Sequence, residues 1–411
     1  MSDSRTKRLI LTCAAGLSVL LVVIIAGKSA FGKRMDKETE SCPVPVNLNE
    51  TLTNEMSDTS CLAGFDKIVK DYLTYWGIHG ASLSVMRNDS LLFAKGYGEA
   101  DTDKKMGPGN ILRMASVSKL VTAVGIMVLQ ERGLLSIKDH VFGPDGILND
   151  SAYVAAIKDT LYNRITVEDL LRHKGGFSKR GGDPMFSTRW IMMQNGWKEV
   201  PTQEQLMEIQ LKRRVRFVPG TAQEYSNFGY LALSMVIEKV SGMDYETFMQ
   251  ENVLRPIGCV DFHIAGNYYK HKLPNETRYY VQHDDEPAEE FNNSGRKVIR
   301  CYGGNNVAGL SGAGAWAAST PELALLVASI DGRPEVPDII SKESVDQMTE
   351  YFDESTYSLG WNDTKDGYWT RTGTFAGTSA LIKYFPDGEC WIFISNTSTY
   401  KGPGLARHTA E

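Results

Sequence analysis

Apolar residues between positions 61 and 75 fall at Leu62, Phe65, Ile68, Val69 and Tyr72, a spacing that predicts a helix. Two strand-like runs follow, 81–86 and 90–98, joined by a turn at Asn88-Asp89. The far end of the chain mirrors them. Residues 378–385 and 390–395 are apolar or β-branched runs joined by Pro386-Asp387-Gly388, with another strand over 367–373 before them. Between the two ends the pattern is helical, over 116–134, 166–173, 202–211, 227–240, 245–252 and 321–330. Strands at both ends and helices between predict a mixed α+β fold. An antiparallel sheet built from both chain ends packs against a helical region.

The N-terminus follows a different pattern. Arg5, Lys7 and Arg8 precede an apolar run over 9–26, which as a helix spans roughly 27 Å, enough for a bilayer core. An uncleaved signal anchor is expected, with the main domain periplasmic or extracellular. A cleaved signal peptide is the alternative, but its apolar region would be long and Lys28 would stand at −3 for cleavage after Ala30. Residues 36–58, polar and with Pro43 and Pro45, read as linker.

Composition narrows the function. The 411 residues are 42% hydrophobic and 23% charged, which is globular, and a net charge of −6 without a charge run gives no reason to expect nucleic acid. Of six cysteines, Cys13 lies in the apolar run and Cys390 in a strand, while Cys42 and Cys61 flank the linker and could pair in an oxidising compartment. The seven histidines form neither H-x-H nor H-E-x-x-H, and no G-x-S-x-G occurs. Neither a metal, a cofactor nor an α/β-hydrolase elbow is indicated.

Three segments carry candidate chemistry. In Ser116-Val117-Ser118-Lys119 the serine opens a stretch apolar nearly all round, hence a buried helix. Lys119 lies one turn on, and a poorly solvated lysine can accept the serine proton. The S-x-x-K pattern also begins at Ser4, Ser294 and Ser398, so only context favours Ser116. Tyr225-Ser226-Asn227 is the only Tyr-x-Asn among eighteen tyrosines. It could shuttle a proton, or Asn227 could simply cap a helix while Tyr225 packs. Arg371-Thr372-Gly373-Thr374 ends a strand, where a cation, a hydroxyl and a glycine could hold a substrate carboxylate against the backbone. A plain strand end with a bulge is the other explanation.

Together these resemble the serine β-lactamase and penicillin-binding-protein hydrolases, in their class C and esterase branch. The resemblance runs through residues 113–119, 165–173, Pro219-Gly220 to Tyr230, Gly314 to Ser319, and Arg371-Thr372-Gly373, and covers roughly residues 60 to 400. It implies that Ser116 attacks a carbonyl, Lys119 and Tyr225 move protons, and Asn227 binds the substrate amide. The N–H groups of Thr374 and Ser116 would form the oxyanion hole. The implied substrate is a small molecule or a peptide, peptidoglycan-derived peptides included, and no cofactor is implied. The organisation expected is a basic tail (1–8), anchor (9–26), linker (27–58), hydrolase domain (59–401) and tail (402–411). Two departures stand out. The family's β-lactamases and many of its peptidases have lysine, and its esterases often histidine, where this chain has Arg371. No terminal helix is predicted after Ser395. D-alanyl carboxypeptidase or esterase activity is therefore expected over true β-lactamase activity. A non-catalytic sensor of penicillins or peptidoglycan fragments, using the same pocket, is the alternative from another class.

Overall fold

Asn88 and Asp89 both adopt positive φ, 46° and 58°. That pair closes a tight two-residue hairpin between β1 (Gly80–Arg87) and β2 (Ser90–Asp101). The computed structural model describes residues 47–178, 182–281, 287–353 and 356–398. The apolar run 9–26, Ser4, Cys13, the pairing of Cys42 with Cys61, Lys401 and the tail 402–411 lie outside the described residues. Among those described, no helix is long and apolar enough to cross a membrane.

The short β3 (Lys104–Lys105) and three C-terminal strands complete the sheet: β4 (Trp369–Phe375), β5 (Thr378–Tyr384) and β6 (Glu389–Ser395). Its order is β4-β5-β6-β1-β2-β3, antiparallel throughout. Strand β1 thus joins the two ends of the chain, with Ala81 opposite Ser395 and Arg87 opposite Glu389. The mixed α+β architecture expected from the pattern is the one found.

Both faces of the sheet are covered. Leu83 and Val85 of β1, Phe93 and Tyr97 of β2 and Phe393 of β6 pack against Val69 and Leu73 of α1 (Ala63–Trp76). Alternate residues point the other way. The hydroxyls of Ser82 and Ser84 both meet Thr320 Oγ1 at 2.8 Å, and Ile392 and Ile394 enter the main core. At its centre lies α2 (Ser118–Glu131), in which every residue from Ser118 to Leu129 is buried. Each large aliphatic side chain buried there contributes about 1.5–3 kcal/mol. α3 (Asn227–Ser241) packs beside it, capped by Ser226. The helices Val167–Leu171 and Gln203–Leu211 each begin with a capping box, from Thr166 and Thr202. The helix expected over 245–252 runs from Tyr245 to Met249 and continues as the wider π-turn Gln250–Leu254.

The stretch 268–300 is strongly polar, as a surface insertion would be, yet its middle turns inward. Tyr279 is 2% exposed. It accepts a hydrogen bond from Arg113 N at 2.8 Å and donates to Glu276 Oε1 at 3.0 Å. Glu276 is buried too, 3.6 Å from the buried Arg113 guanidinium. A buried arginine needs an anion and hydrogen-bond acceptors: Glu276 is the anion, and Gly266 O and Cys301 O, just outside the two ends of the segment, accept from the guanidinium at 2.7 and 2.9 Å. Surface character is kept by Tyr269, 46% exposed, and by the later hairpin strand Lys297–Val298.

Candidate active site

The residue before Ser116 holds an unusual conformation. Ala115 has φ 47° and is fully buried, a left-handed geometry that costs a residue with a Cβ about 1–2 kcal/mol. Neighbours hold it in place. Met114 N donates to Trp316 O at 3.0 Å, Trp316 N donates to Ser118 Oγ at 3.1 Å, and Thr378 Oγ1 donates to Arg113 O. The single 3-10 turn Ala115–Val117 then presents Ser116 at the start of α2.

Strand β4 crosses directly over this turn. A Cβ on Gly373 would lie 2.4 Å from Met114 O and 2.7 Å from Ser116 N. The glycine therefore makes room for the serine's own backbone, rather than for a ligand as the sequence suggested. Gly373→Ala should push strand and turn apart. A displacement of about 1 Å at a reacting group costs on the order of 100-fold in rate, so kcat should fall by about that factor, with about 1–3 kcal/mol of stability lost to the backbone clash. An unaltered kcat in steady-state kinetics would show that the turn can yield.

Lys119 is fully buried, with Nζ 3.2 Å from Ser116 Oγ. Nζ also donates to Asn227 Oδ1 at 2.8 Å and to Ala313 O. Burial, and after it the Arg371 guanidinium, push Lys119 well below the usual lysine range, while Asp183 pulls the other way. Tyr225 OH donates to Ser116 Oγ at 2.7 Å. Its pKa is raised by burial, which outweighs the opposing effects of Arg371 and the hydrogen bond to Ser116. The Arg371 cation favours the phenolate, but burial wins. The site pairs an amine that readily loses its proton with a phenol that keeps its own.

Arg371 is 1% exposed. Its Nε and a terminal nitrogen donate to Ser116 O at 2.8 and 2.5 Å. It braces the serine's backbone, unlike the free cation the sequence led us to expect. Thr372 N and Oγ1 both donate to Asn362 Oδ1, at 2.7 and 3.3 Å. Thr370 N donates to Asp363 O at 2.9 Å on the same open edge. By the two-residue alternation of a strand, Thr374 N–H faces that edge as well.

The structure therefore brings Ser116, Lys119, Tyr225, Asn227, Arg371 and Gly373 together, and turns Thr372 toward Asn362. Sequence reasoning gave no site role to three neighbours. His173 accepts from Ser226 N through Nδ1 at 3.2 Å. Its ring lies 4.4 Å from that of Tyr225, and its carbonyl accepts from Glu224 N, so it fixes the Tyr225 backbone from both sides. Asn362 orients β4. Asp183 Oδ2 accepts from Asn227 Nδ2 at 2.7 Å. Its Asp-Pro context looks like an ordinary helix cap, and nothing local marks it.

Known proteins resemble this chain. Penicillin-binding protein 4* of Bacillus subtilis (strain 168) is 25% identical over 188 residues, 45% of this chain but only 37% of that protein, so the chain spans well under half of that relative. A protein of Escherichia coli O157:H7 provisionally named as a D-alanyl-D-alanine carboxypeptidase is 23% identical over 375 residues, 83% of this chain and 78% of its own. Among solved structures, the D-amino acid amidase of Ochrobactrum anthropi SV3 superposes with a TM-score of 0.62 at 16% identity, covering 84% of this chain and 96% of that one. The penicillin-binding protein homologue of Pyrococcus abyssi gives 0.61 at 22% identity, covering 85% and 76%. At such identities the structures speak to fold alone. The family model named Beta-lactamase matches residues 65–410, and the chain belongs to that family, within the serine β-lactamase and penicillin-binding-protein superfamily.

Proposed function

We propose that this chain is a serine hydrolase that acts through an acyl-enzyme on an amide or ester outside the cytoplasm. The hydrogen bonds of Lys119 carry the reading. A neutral amine has two N–H donors and one lone pair. Asn227 Oδ1 and Ala313 O take both donors, which leaves the lone pair for Ser116 Oγ, 3.2 Å away. Burial favours that neutral form.

Lys119 takes the Ser116 proton as Oγ bonds to the carbonyl carbon. Tyr225, kept protonated by burial, gives its proton to the departing nitrogen or oxygen as the bond to the carbonyl breaks. The proton on Lys119 then restores the phenol. Water repeats the steps to release the acid. The N–H groups of Ser116 and Thr374 hold the oxyanion, each such donor being worth about 3 kcal/mol of barrier.

Arg371 bears on the substrate. Buried on Ser116 O, it offers no open cation to a leaving group that ends in carboxylate. That supports esters and simple amides over D-alanyl peptides and β-lactams. The extracytoplasmic location rests on the apolar run 9–26, and a C-terminal reporter active only in the cytoplasm would refute it. For the chemistry, the protein should be labelled by a fluorophosphonate and screened against short p-nitrophenyl esters, nitrocefin and D-Ala-D-Ala peptides. Labelling with fastest turnover of the esters is expected. Labelling without any turnover would indicate a sensor instead.

A further inference from the structure

We propose that Asp183 selects the substrate, and that the favoured acyl donors carry a free ammonium group beside the scissile carbonyl. The proposal rests on the acyl-enzyme reading above and names its substrate class. Asp183 precedes the turn Pro184–Phe186 and is fixed at both oxygens. Oδ1 accepts from Met185 N at 3.0 Å, and Oδ2 accepts from Asn227 Nδ2 at 2.7 Å. Asn227 Oδ1 in turn accepts from Lys119 Nζ. Two hydrogen bonds therefore link the base that faces the nucleophile to a carboxylate.

Among the described residues the carboxylate has no ion-pair partner. The Arg371 guanidinium is committed to Ser116 O. Lys119 is buried on Asn227 and Ala313, and Arg213, which also feels the Asp183 charge, hydrogen-bonds Gln210 at 3.4 Å. Among the described residues no cation forms a salt bridge with Asp183, which is half-exposed. A carboxylate oxygen accepts more than one hydrogen bond. Oδ2 can thus keep Asn227 and still take an ammonium group from the cleft.

An N-acylated donor meets the opposite situation. The resemblance implies that Asn227 binds the substrate amide, and Asn227 Nδ2 is already engaged by Asp183. An acylamino carbonyl must displace a charged acceptor from that donor and gains no charge in exchange. A carboxylate on the acyl side is repelled outright. The same carboxylate that welcomes an α-ammonium group therefore discriminates against blocked amines.

Two matched substrates test this: alanine p-nitroanilide and its N-acetyl derivative, each as D and L enantiomers. The wild-type protein should favour the free amine of at least one enantiomer by about 30-fold in kcat/KM, the size of a charge-assisted hydrogen bond. Asp183→Asn keeps a cap acceptor for Met185 N and removes the charge, so that ratio should collapse toward one. Asp183→Glu should restore part of it. The ratio cancels any loss common to both substrates, so a merely structural role for Asp183 would leave it unmoved. A wild-type protein that prefers the N-acetyl substrate, or an unchanged ratio in Asp183→Asn, overturns the proposal without touching the acyl-enzyme. Absence of fluorophosphonate labelling and of p-nitrophenyl acetate turnover overturns the acyl-enzyme, and this proposal with it.

Discussion

Ser116→Ala is expected to abolish both fluorophosphonate labelling and hydrolysis, while Ser294→Ala and Ser398→Ala leave labelling intact. All three serines begin an S-x-x-K match, so the motif cannot be the reason. Ser116 meets a phenol at 2.7 Å and an amine at 3.2 Å beneath an edge strand. Ser294 Oγ instead donates to the Glu290 carboxylate at the tip of an exposed hairpin. Ser398 is buried in the short strand Thr397–Ser398, where its Oγ accepts from Gly377 N at 2.9 Å. Ser398→Ala should cost about 1 kcal/mol of stability by orphaning that donor, with acylation kept. An acyl group found by mass spectrometry on another serine of Ser116→Ala would remove the basis for the whole site.

Lys119→Met should lower turnover by roughly 1000-fold, within the usual range for a general base. It should also change how stability depends on pH. Burial depresses Lys119 from its ordinary value of 10.5. Between the folded value and 10.5 the unfolded chain binds more protons than the folded one, so stability rises with pH across that window. Below the window the penalty is fully present, and above it the penalty vanishes. Methionine of similar length has no such penalty, although it leaves Asn227 Oδ1 and Ala313 O without their donor. The unfolding free energy of Lys119→Met relative to wild type should therefore decline as pH is raised toward 10. Denaturant melts across that range check it, and a constant difference would mean that Lys119 is charged in the folded protein.

The sequence announced the two hairpins and α2 because their signals are local. Asn-Asp between two apolar runs is a hairpin turn, and a lysine inside a wholly apolar helix conflicts with its surroundings, which marks Lys119. What stayed hidden depends on partners far along the chain. Arg371 looks like a free cation until the Ser116 carbonyl arrives beneath it. Tyr279 and Glu276 belong to a polar stretch, and only the buried guanidinium of Arg113 draws them inward. The strained φ of Ala115 has no signature, because alanine rarely adopts it and only the packed surroundings impose it. Asp183 looks like a cap because it is one; its second oxygen gains meaning only when α3 brings Asn227 to it.

The position of β1 has a consequence for how the protein is made. β1 lies between β2, its immediate neighbour in sequence, and β6, among the last described residues to be synthesised. While the ribosome is still producing the helical region, the first hairpin exists with one edge of β1 unpaired. That edge is the run Ala81-Ser82-Leu83-Ser84-Val85-Met86, uncharged and buried in the finished protein. An open uncharged edge is a template for pairing with other chains. Until residue 395 has been made, that edge is therefore open to pairing with other chains, a hazard the finished sheet does not have.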